Sequence, residues 1–466
     1  MKTSVHGYWL EEAGPVTPLP AVEGELRADV LVVGGGYTGL WTARQIHRLE
    51  PDARVIVLEA DRCGRGPSGR NGGFVNAMWF SLPSMRDRFG DEAAIEIACA
   101  SQNSVDAIGE FCARQRLQAW FRPAGYLQVS TCAAHDAAWR RVVDACTQLG
   151  EPDAVRELSA AEVAERCASP AFRGGALYPG AASVQPARLA LGLRDRVAAQ
   201  PNLQLFEGSR VRALAAGPWG ALAETERARV RAGSAVLALG GASGARGAPL
   251  RGRLTVTSSQ MVISEPVPEL LEAVGWTGGE CISDSRDLVH YMRTTPDGRI
   301  ALGWGGGRIA CGARIGGRGE LDPAISARLA RTLRRFFPGL RGRRITHHWG
   351  GPIDVSPTHL PLVMPLAGDR VFAACGYTGN GVGPSHLLGR TLASLALGRR
   401  DRAARLALVD PEPRRVPNGL PGWLGGNTIR AGLVRSEDAL EHGGRADPLS
   451  RSLATIPRLI GFHIGR

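Results

Sequence analysis

Apolar positions follow two rhythms along the chain. Near the N-terminus the run Val30-Leu31-Val32-Val33 leads through Gly34-Gly35-Gly36-Tyr37-Thr38-Gly39 into Leu40-Trp41-Thr42-Ala43-Arg44-Gln45-Ile46, and a second run, Val55-Ile56-Val57-Leu58, ends at Glu59. A β-rich run, a glycine turn, a helical pattern and another β-rich run within about 30 residues predict a βαβ unit with a parallel strand pair. Helical spacing returns over Asp91–Gln118, Glu151–Ala168 and Arg188–Ala199, followed by the strand-like Leu203–Phe206 and the apolar Ala235–Leu239. From Leu254 to Trp304 the rhythm becomes alternation, as in Met261-Val262-Ile263 and His290-Tyr291-Met292-Arg293. Alternation predicts an antiparallel sheet with one exposed face. Ile325–Phe337 reads as a helix stopped by Pro338-Gly339, Val371–Ala374 as a last buried strand, and His386–Leu397 as the helix after it. Beyond Arg399, Arg, Pro and Gly dominate with little periodicity, which predicts a surface-wrapping extension.

Composition narrows the class. The 466 residues suit two interleaved domains, and 44% apolar with 21% charged residues excludes a disordered or fibrous chain. The net charge of +12 is almost all arginine, with Lys2 the single lysine. Because the arginines are spread over the whole length rather than clustered, the bias reads mainly as genome composition with some contribution to binding anionic ligands, and no nucleic-acid partner is expected. Nine scattered cysteines without a C-x-x-C read as reduced, mostly buried thiols. The first twenty residues have no apolar core of a signal peptide, and no apolar run approaches a membrane span. The expectation is a cytoplasmic protein without an integral membrane segment.

Gly34-x-Gly36-x-x-Gly39 carries the first chemistry. The turn must bend sharply, let backbone approach a pyrophosphate and pack a helix on the strand, and each task favours a residue without Cβ. The helix N-terminus beyond it, at Tyr37 and Thr38, offers N–H groups and a positive dipole end to phosphates. Glu59, twenty residues after Gly39, stands where a carboxylate can accept both ribose hydroxyls. Two further glycine elements follow strands: Gly240-Gly241, and Gly376-Tyr377-Thr378-Gly379-Asn380-Gly381-Val382-Gly383 directly before a helix. A second helix N-terminus suits a flavin ring, whose pyrimidine edge becomes anionic on reduction.

With these elements in hand the chain resembles the FAD-dependent D-amino-acid oxidase and glycine oxidase superfamily over nearly its full length. Within it the chain more closely resembles the branch containing gamma-glutamylputrescine oxidase and the FAD-dependent aminophosphonate oxidoreductases. The resemblance rests on Tyr8-Trp9-Leu10-Glu11-Glu12, Ser68-Gly69-Arg70-Asn71-Gly72-Gly73, Trp349-Gly350-Gly351-Pro352-Ile353-Asp354 and Gly376-Tyr377-Thr378-Gly379-Asn380-Gly381. It implies an α/β fold with a Rossmann-like FAD-binding domain of the glutathione-reductase type (26–90, 170–250 and 350–400). An inserted antiparallel-sheet substrate domain (91–169 and 251–349) and the C-terminal extension (401–466) complete the expected organisation.

The resemblance also implies that Ser68 to Phe74 run beside the flavin, with Ser68 near the pyrophosphate or ribitol and Gly72, Gly73 and Phe74 near the reactive edge. Arg70 and Asn71 are then donors to flavin oxygens, or Arg70 caps carbonyls. Val211 and Gly240 join the cofactor set. Arg293, Arg70, Tyr291 and His290 are the candidate catalytic residues, the sheet segment His290–Arg293 being expected to face the flavin. Relatives that oxidise amino acids carry an arginine for the substrate carboxylate just after the Trp-Gly segment; Gly351-Pro352-Ile353-Asp354 has none. An amine with a different distal group is therefore expected, an aminophosphonate first and a gamma-glutamylated diamine second. Asp354 either attracts an ammonium or braces its loop. No cysteine lies between Cys311 and Cys375, so noncovalent FAD is expected, and adjacent His347 and His348 make a poor metal site. Some relatives keep a lysine near flavin N5 for O₂; here Arg293 or Arg70 would have to supply that charge. The implied reaction is oxidative deamination with O₂ as acceptor. An FAD dehydrogenase serving another acceptor and a flavin-binding protein without turnover are the alternatives.

Overall fold

The strands Gly24–Val33 and Val55–Leu58 pair in parallel, with Val30 opposite Val55 and Val33 opposite Leu58. In the computed structural model, which describes residues 2–3, 7–245, 248, 250–313, 316–317, 320–366, 369–410 and 412–459, they sit at the centre of an eight-stranded sheet. Leu203–Phe206 continues it in parallel on one side, and Ala228–Leu237 followed by Val371–Cys375 on the other. Val30 to Val33 and Val55 to Leu58 are all buried, as expected of parallel strands covered on both faces. The long strand Ala228–Leu237 also carries an antiparallel hairpin, Ala213–Gly217 and Gly220–Glu224.

Helix Tyr37–Leu49 returns across this sheet and packs on helix Val382–Ala396. A Cβ at Gly389 would fall 2.8 Å from the Cβ of Trp41, so this glycine lets the two helices close together. Trp41 then meets His386 and Phe111 edge-on at 4.8 and 5.0 Å. Phe111 comes from the 24-residue helix Asp91–Arg114.

The second sheet has nine strands among the described residues. Its centre, Thr255–Ser264, Ile300–Trp304, His290–Thr294 and Cys281–Asp284, is antiparallel as the alternation predicts. It is nevertheless mixed, because Cys281–Asp284 runs parallel to Tyr126–Val129 and Lys2–Thr3 parallel to Ile345–Val355. Gly175–Tyr178, expected in the cofactor domain, is hydrogen-bonded into this sheet instead. The stretch read as one helix over 151–168 is a turn, a strand Arg156–Leu158 and a short helix Ala160–Arg166. Ser159 and Glu162 form a reciprocal capping box that delays the helix start until after the buried Leu158.

Both chain ends pack on the fold. Lys2–Thr3 is an edge strand, and Tyr8–Glu12 is a helix that buries Trp9 edge-on against Trp349 at 6.0 Å. The C-terminal extension forms two helices, Gly419–Glu441 and Pro448–Leu459. The first escapes a propensity reading because it opens with Gly419, Pro421, Gly422, Gly425 and Gly426. Tertiary ion pairs hold it. Arg286, fully buried, meets Glu437 at 3.2 Å, Asp438 at 2.9 Å and Glu441 at 2.8 Å. Arg328 adds two bonds to Asp438, and Arg335 two to Glu441.

Burial alone would raise the Asp438 and Glu441 carboxyls, but their arginine hydrogen bonds outweigh it and hold both at about 2. Burial wins only at Glu437, pushed up to about 7. Depressed carboxylates contribute stability above their unfolded pKa of about 4 and lose it as pH falls through the folded value. Docking of the C-terminal helix should therefore weaken between pH 4 and 2. Limited proteolysis with an acid-active protease across that window reads it out as cleavage within 412–459. Release that begins only on raising the pH would contradict the ion-pair account.

Candidate functional site

A cavity of about 1590 Å³ runs from the C-terminal ends of the parallel strands to the face of the second sheet. That exceeds the roughly 300–1,000 Å³ of ordinary small-ligand pockets and suits an extended ligand with room beside it.

At one end lie Gly34, Gly36, Tyr37, Thr38, Glu59, Val211 and Gly240. Gly34 has φ +114° and faces the Ala238 carbonyl oxygen, 2.4 Å from where a Cβ would stand. Gly39 does not touch the cavity. Its missing Cβ would be 1.9 Å from the Gly34 carbonyl oxygen, so it is the contact that seats the helix on the strand. Gly36 caps that helix, and a Cβ there would meet only the Ser68 hydroxyl, at 3.0 Å. The Glu59 carboxylate accepts N–H bonds from Gly35 (2.7 Å) and Asp61 (2.9 Å), while burial raises its pKa.

The middle of the cavity is walled by two loops. Ser68 accepts from the Tyr37 amide at 2.9 Å and ties the first loop to the helix N-terminus. Asn71 is spent on the loop itself, donating to the Pro67 and Ser68 carbonyls and accepting from the Gly73 amide. Gly69 and Gly73 stand behind the wall, with Gly64 and Val184 carbonyl oxygens 2.2 and 2.1 Å from their missing Cβ positions. Gly72 and Phe74 face the cavity. In the second loop Thr378, Gly379, Asn380, Gly381 and Val382 line it, whereas Gly376 and Gly383 pack behind.

Asp354 organises this second loop. Its carboxylate accepts from the Gly376 amide at 2.7 Å, and its carbonyl from the Thr378 amide at 2.9 Å. Burial pushes its pKa up to about 6. Of the two roles open to it, bracing is the one these bonds serve.

The four candidate catalytic residues separate. Tyr291 lies on the wall, its hydroxyl 2.7 Å from that of Ser259, and burial pushes its pKa up to about 12. Arg70 also reaches the wall, but its Nη1 donates to Glu320 and to the Gly350 carbonyl, both at 3.3 Å. Arg293 does not line the cavity. Its guanidinium bonds to the Gly73 and Val184 carbonyls and lies over the Trp9 ring, so it supports the first loop from behind. His290 is buried away from the cavity with Nδ1 2.6 Å from Asp284. Alternation puts Tyr291 and its neighbours on opposite faces, which is why the segment cannot present all of its polar side chains to one ligand.

Asp284, His290 and Glu441 bring ligand atoms within 4.8 Å of one another. Arg286 and Arg335 already hold Glu441, and their charge opposes a cation there. His347 and His348 face apart, toward Glu11 and Ser326 respectively.

Sequence reasoning missed the far arm. Thr257, Ser259, Glu320 and, from the C-terminal helix, Gly426, Ile429, Arg430 and Leu433 line it. The available signal was the helical spacing of Ile429, Arg430, Leu433 and Glu437, obscured by the glycines before it.

This donor set fits FAD. The open Gly36 face, the first-turn amides of two helices and the Glu59 carboxylate address a pyrophosphate, a flavin edge and a ribose in turn. A family model described as FAD dependent oxidoreductase (DAO) matches residues 29–395. The chain belongs to this family. FAD is accordingly the cofactor of this oxidoreductase. It is similar to gamma-glutamylputrescine oxidoreductase of Escherichia coli, 28% identical over 444 residues that cover 92% of this chain and 96% of the relative. It is also similar to glycine oxidase of Pseudomonas aeruginosa, 26% identical over 401 residues, covering 82% and 97%. The crystal structure of glycine oxidase from Geobacillus kaustophilus shares the fold, with a TM-score of 0.67 and 21% identity over 83% of this chain and 100% of that one. Among the described residues of the oxidoreductase no helix is long and apolar enough to cross a membrane.

Proposed function

We propose that this FAD-dependent oxidoreductase deaminates a primary amine oxidatively, with an anionic-tailed amine such as an aminophosphonate as the first substrate class and a gamma-glutamylated diamine as the second. The observation that carries it is the continuity of the cavity from the Gly34–Glu59 end, past Gly72, Phe74 and Gly351, to an arm lined by Tyr291, Ser259 and Arg430. That arm offers room beside the cofactor for a chain with a polar end. FAD, when bound, accepts the hydride from the carbon bearing the amine, and water hydrolyses the resulting imine.

The chain's own residues orient and exclude water. Phe74 and Tyr291, edge-on at 5.8 Å, close one side, and the un-ionised Tyr291 hydroxyl, paired with Ser259, can hydrogen-bond the amine without taking its proton. Arg293, holding the Gly73 carbonyl, acts as a positioning residue for the loop beside the cofactor. Noncovalent attachment is part of this reading, with Glu59, Ser68 and the loop 376–383 as cofactor contacts.

A second reading, an FAD dehydrogenase with a carrier as acceptor, gains support from one observation. The arginines that could stand in for a lysine near the reacting edge are committed elsewhere, Arg293 to carbonyls and Arg70 to Glu320. The test is anaerobic mixing of holoenzyme with 2-aminoethylphosphonate, gamma-glutamylputrescine, glycine and sarcosine, followed by air or a dye. Either of the first two should bleach the flavin at least tenfold faster than glycine or sarcosine. Equal rates for glycine would sink the substrate class, and reduced enzyme that reacts with dye but not O₂ would replace the oxidase by the dehydrogenase.

A further inference from the structure

Arg430 is the cation that the C-terminal helix brings to the cavity. Its neighbours on that helix, Gly426, Ile429 and Leu433, line the wall with it, so the residue stands on a helix face turned inward. The helix is secured on both sides of it. Asn427 bonds the backbone of Ile309 in both directions, and Glu437 to Glu441 are clamped on Arg286.

The charges of this arm do not cancel. Glu320 is answered by Arg70 at 3.3 Å, and Asp287 faces Arg458 at 3.8 Å. Arg430 has no carboxylate partner among the described residues. Its Nε donates to the Gly306 and Gly307 carbonyls, both at 2.7 Å, and its guanidinium lies 5.7 Å from the Trp304 ring. Those contacts fix the plane of the group while its two terminal nitrogens take no hydrogen bond among the described residues. Burial, then the like charges of Arg308 and Arg328, push its pKa down, and Asp322, itself held by Arg308 at 2.9 Å, offsets only part of this. A guanidinium nevertheless stays charged near neutral pH.

The spacing to the reacting end is short along the fold. Tyr291 pairs with Ser259, Ser259 bonds the Trp304 carbonyl at 3.0 Å, and the next residues, Gly305 to Gly307, lead to the Nε of Arg430. Leu288, Ile309, Ile429 and Leu433 supply apolar lining for an alkyl chain. Gly351 to Asp354, which line the cavity on the strand paired with Thr257 and Ser259, contribute no cation.

From these placements we infer that Arg430 determines specificity by binding the oxyanion at the far end of the substrate, a carboxylate or a phosphonate, through its terminal nitrogens. A pre-oriented planar fork with two free ends matches both anions. The inference rests on the amine-oxidation reading for its substrate but not for the anion site itself. The C-terminal helix is then part of the active cavity, and an amine's tail selects for its docking.

Two variants separate charge from bracing. Arg430→Gln keeps an N–H donor for the Gly306 and Gly307 carbonyls and removes the charge, while Arg430→Lys keeps the charge and loses the fork. Holoenzyme is titrated with butylphosphonate, butyrate and butylamine by flavin absorbance, then reduced anaerobically by amines of equal length ending in phosphonate, carboxylate or methyl. In Arg430→Gln the affinity ratio of anion-tailed to methyl-ended ligands should fall roughly ten- to a hundredfold, the range for a hydrogen bond to a charged group. Arg430→Lys should retain most of the ratio, and the anion that loses more identifies the tail. An unchanged ratio, or an equal loss for charged and neutral ligands with a lowered melting temperature, would make Arg430 a brace and overturn the inference. If no amine reduces the wild type, the amine reading fails, and the butylphosphonate and butyrate titrations still decide the anion site.

Discussion

Replacing Gly39 with alanine is expected to give a colourless protein. The added Cβ would lie 1.9 Å from the Gly34 carbonyl oxygen, a distance no side-chain rotation relieves because the backbone fixes the Cβ and its partner is a backbone atom. Helix Tyr37–Leu49 must then lift from strand Gly24–Val33, and its first-turn amides leave the pyrophosphate position. FAD content of the purified variant should fall at least tenfold, and the apoprotein should melt earlier than wild-type apoprotein. Gly36→Val is the informative comparison. Its Cβ meets only the Ser68 hydroxyl, at 3.0 Å, so the apoprotein should fold normally yet still not take up FAD. Wild-type FAD content in Gly39→Ala, measured after acid release, would refute the packing argument. Wild-type content in Gly36→Val would refute the pyrophosphate placement.

Arg286→Met carries the second large effect. The Arg286 side chain is fully buried and faces Glu437, Asp438 and Glu441, so its removal leaves the buried Glu437 and Glu441 carboxylates without their shared cation. Breaking a buried pair by removing one partner costs about 3–5 kcal/mol. Protonation of Glu437, already pushed up to about 7, relieves only part of that cost at neutral pH. The expected result is undocking of Gly419–Glu441, with cleavage within 412–459 accelerated about a hundredfold or more, since each 1.4 kcal/mol is about tenfold. The central sheet should stay folded, because its core clusters around Val30, Val32, Val55 and Val57 share nothing with Arg286. The variant should also lose discrimination between anionic and neutral tails, as Arg430 leaves with the helix. Cleavage at the wild-type rate would show that the ion pairs do not hold the helix.

What could be read without the structure follows from the range of each interaction. The βαβ unit is local: its strand, glycine turn, helix and acid lie within Val30–Glu59, so periodicity and turn chemistry suffice. The resemblance implies that Ser68–Phe74 runs beside the cofactor, and Gly376–Gly383 reads as a glycine turn before a helix. Both loops line the cavity, although Gly69, Gly73, Gly376 and Gly383 pack behind it. Arg293 misled because alternation says which residues share a face, not which carbonyls wait on that face, and Gly73 and Val184 lie 220 and 109 residues away. The C-terminal helix was illegible for the opposite reason. Gly419 to Gly426 depress local propensity, and the forces that form the helix come from Arg286, Arg328 and Arg335, more than a hundred residues earlier. Asp354 shows a mixed case, where the residue was noticed and only its bond to the Gly376 amide decides between its two roles.

The central claim, that the cavity oxidises a CH–NH₂ group with FAD, is tested most directly by an anaerobic single turnover of holoenzyme with the amine that bleaches it fastest. The account predicts one ammonium and one carbonyl product released per FAD reduced. Bleaching without ammonium release, or no bleaching by any primary amine, would contradict it.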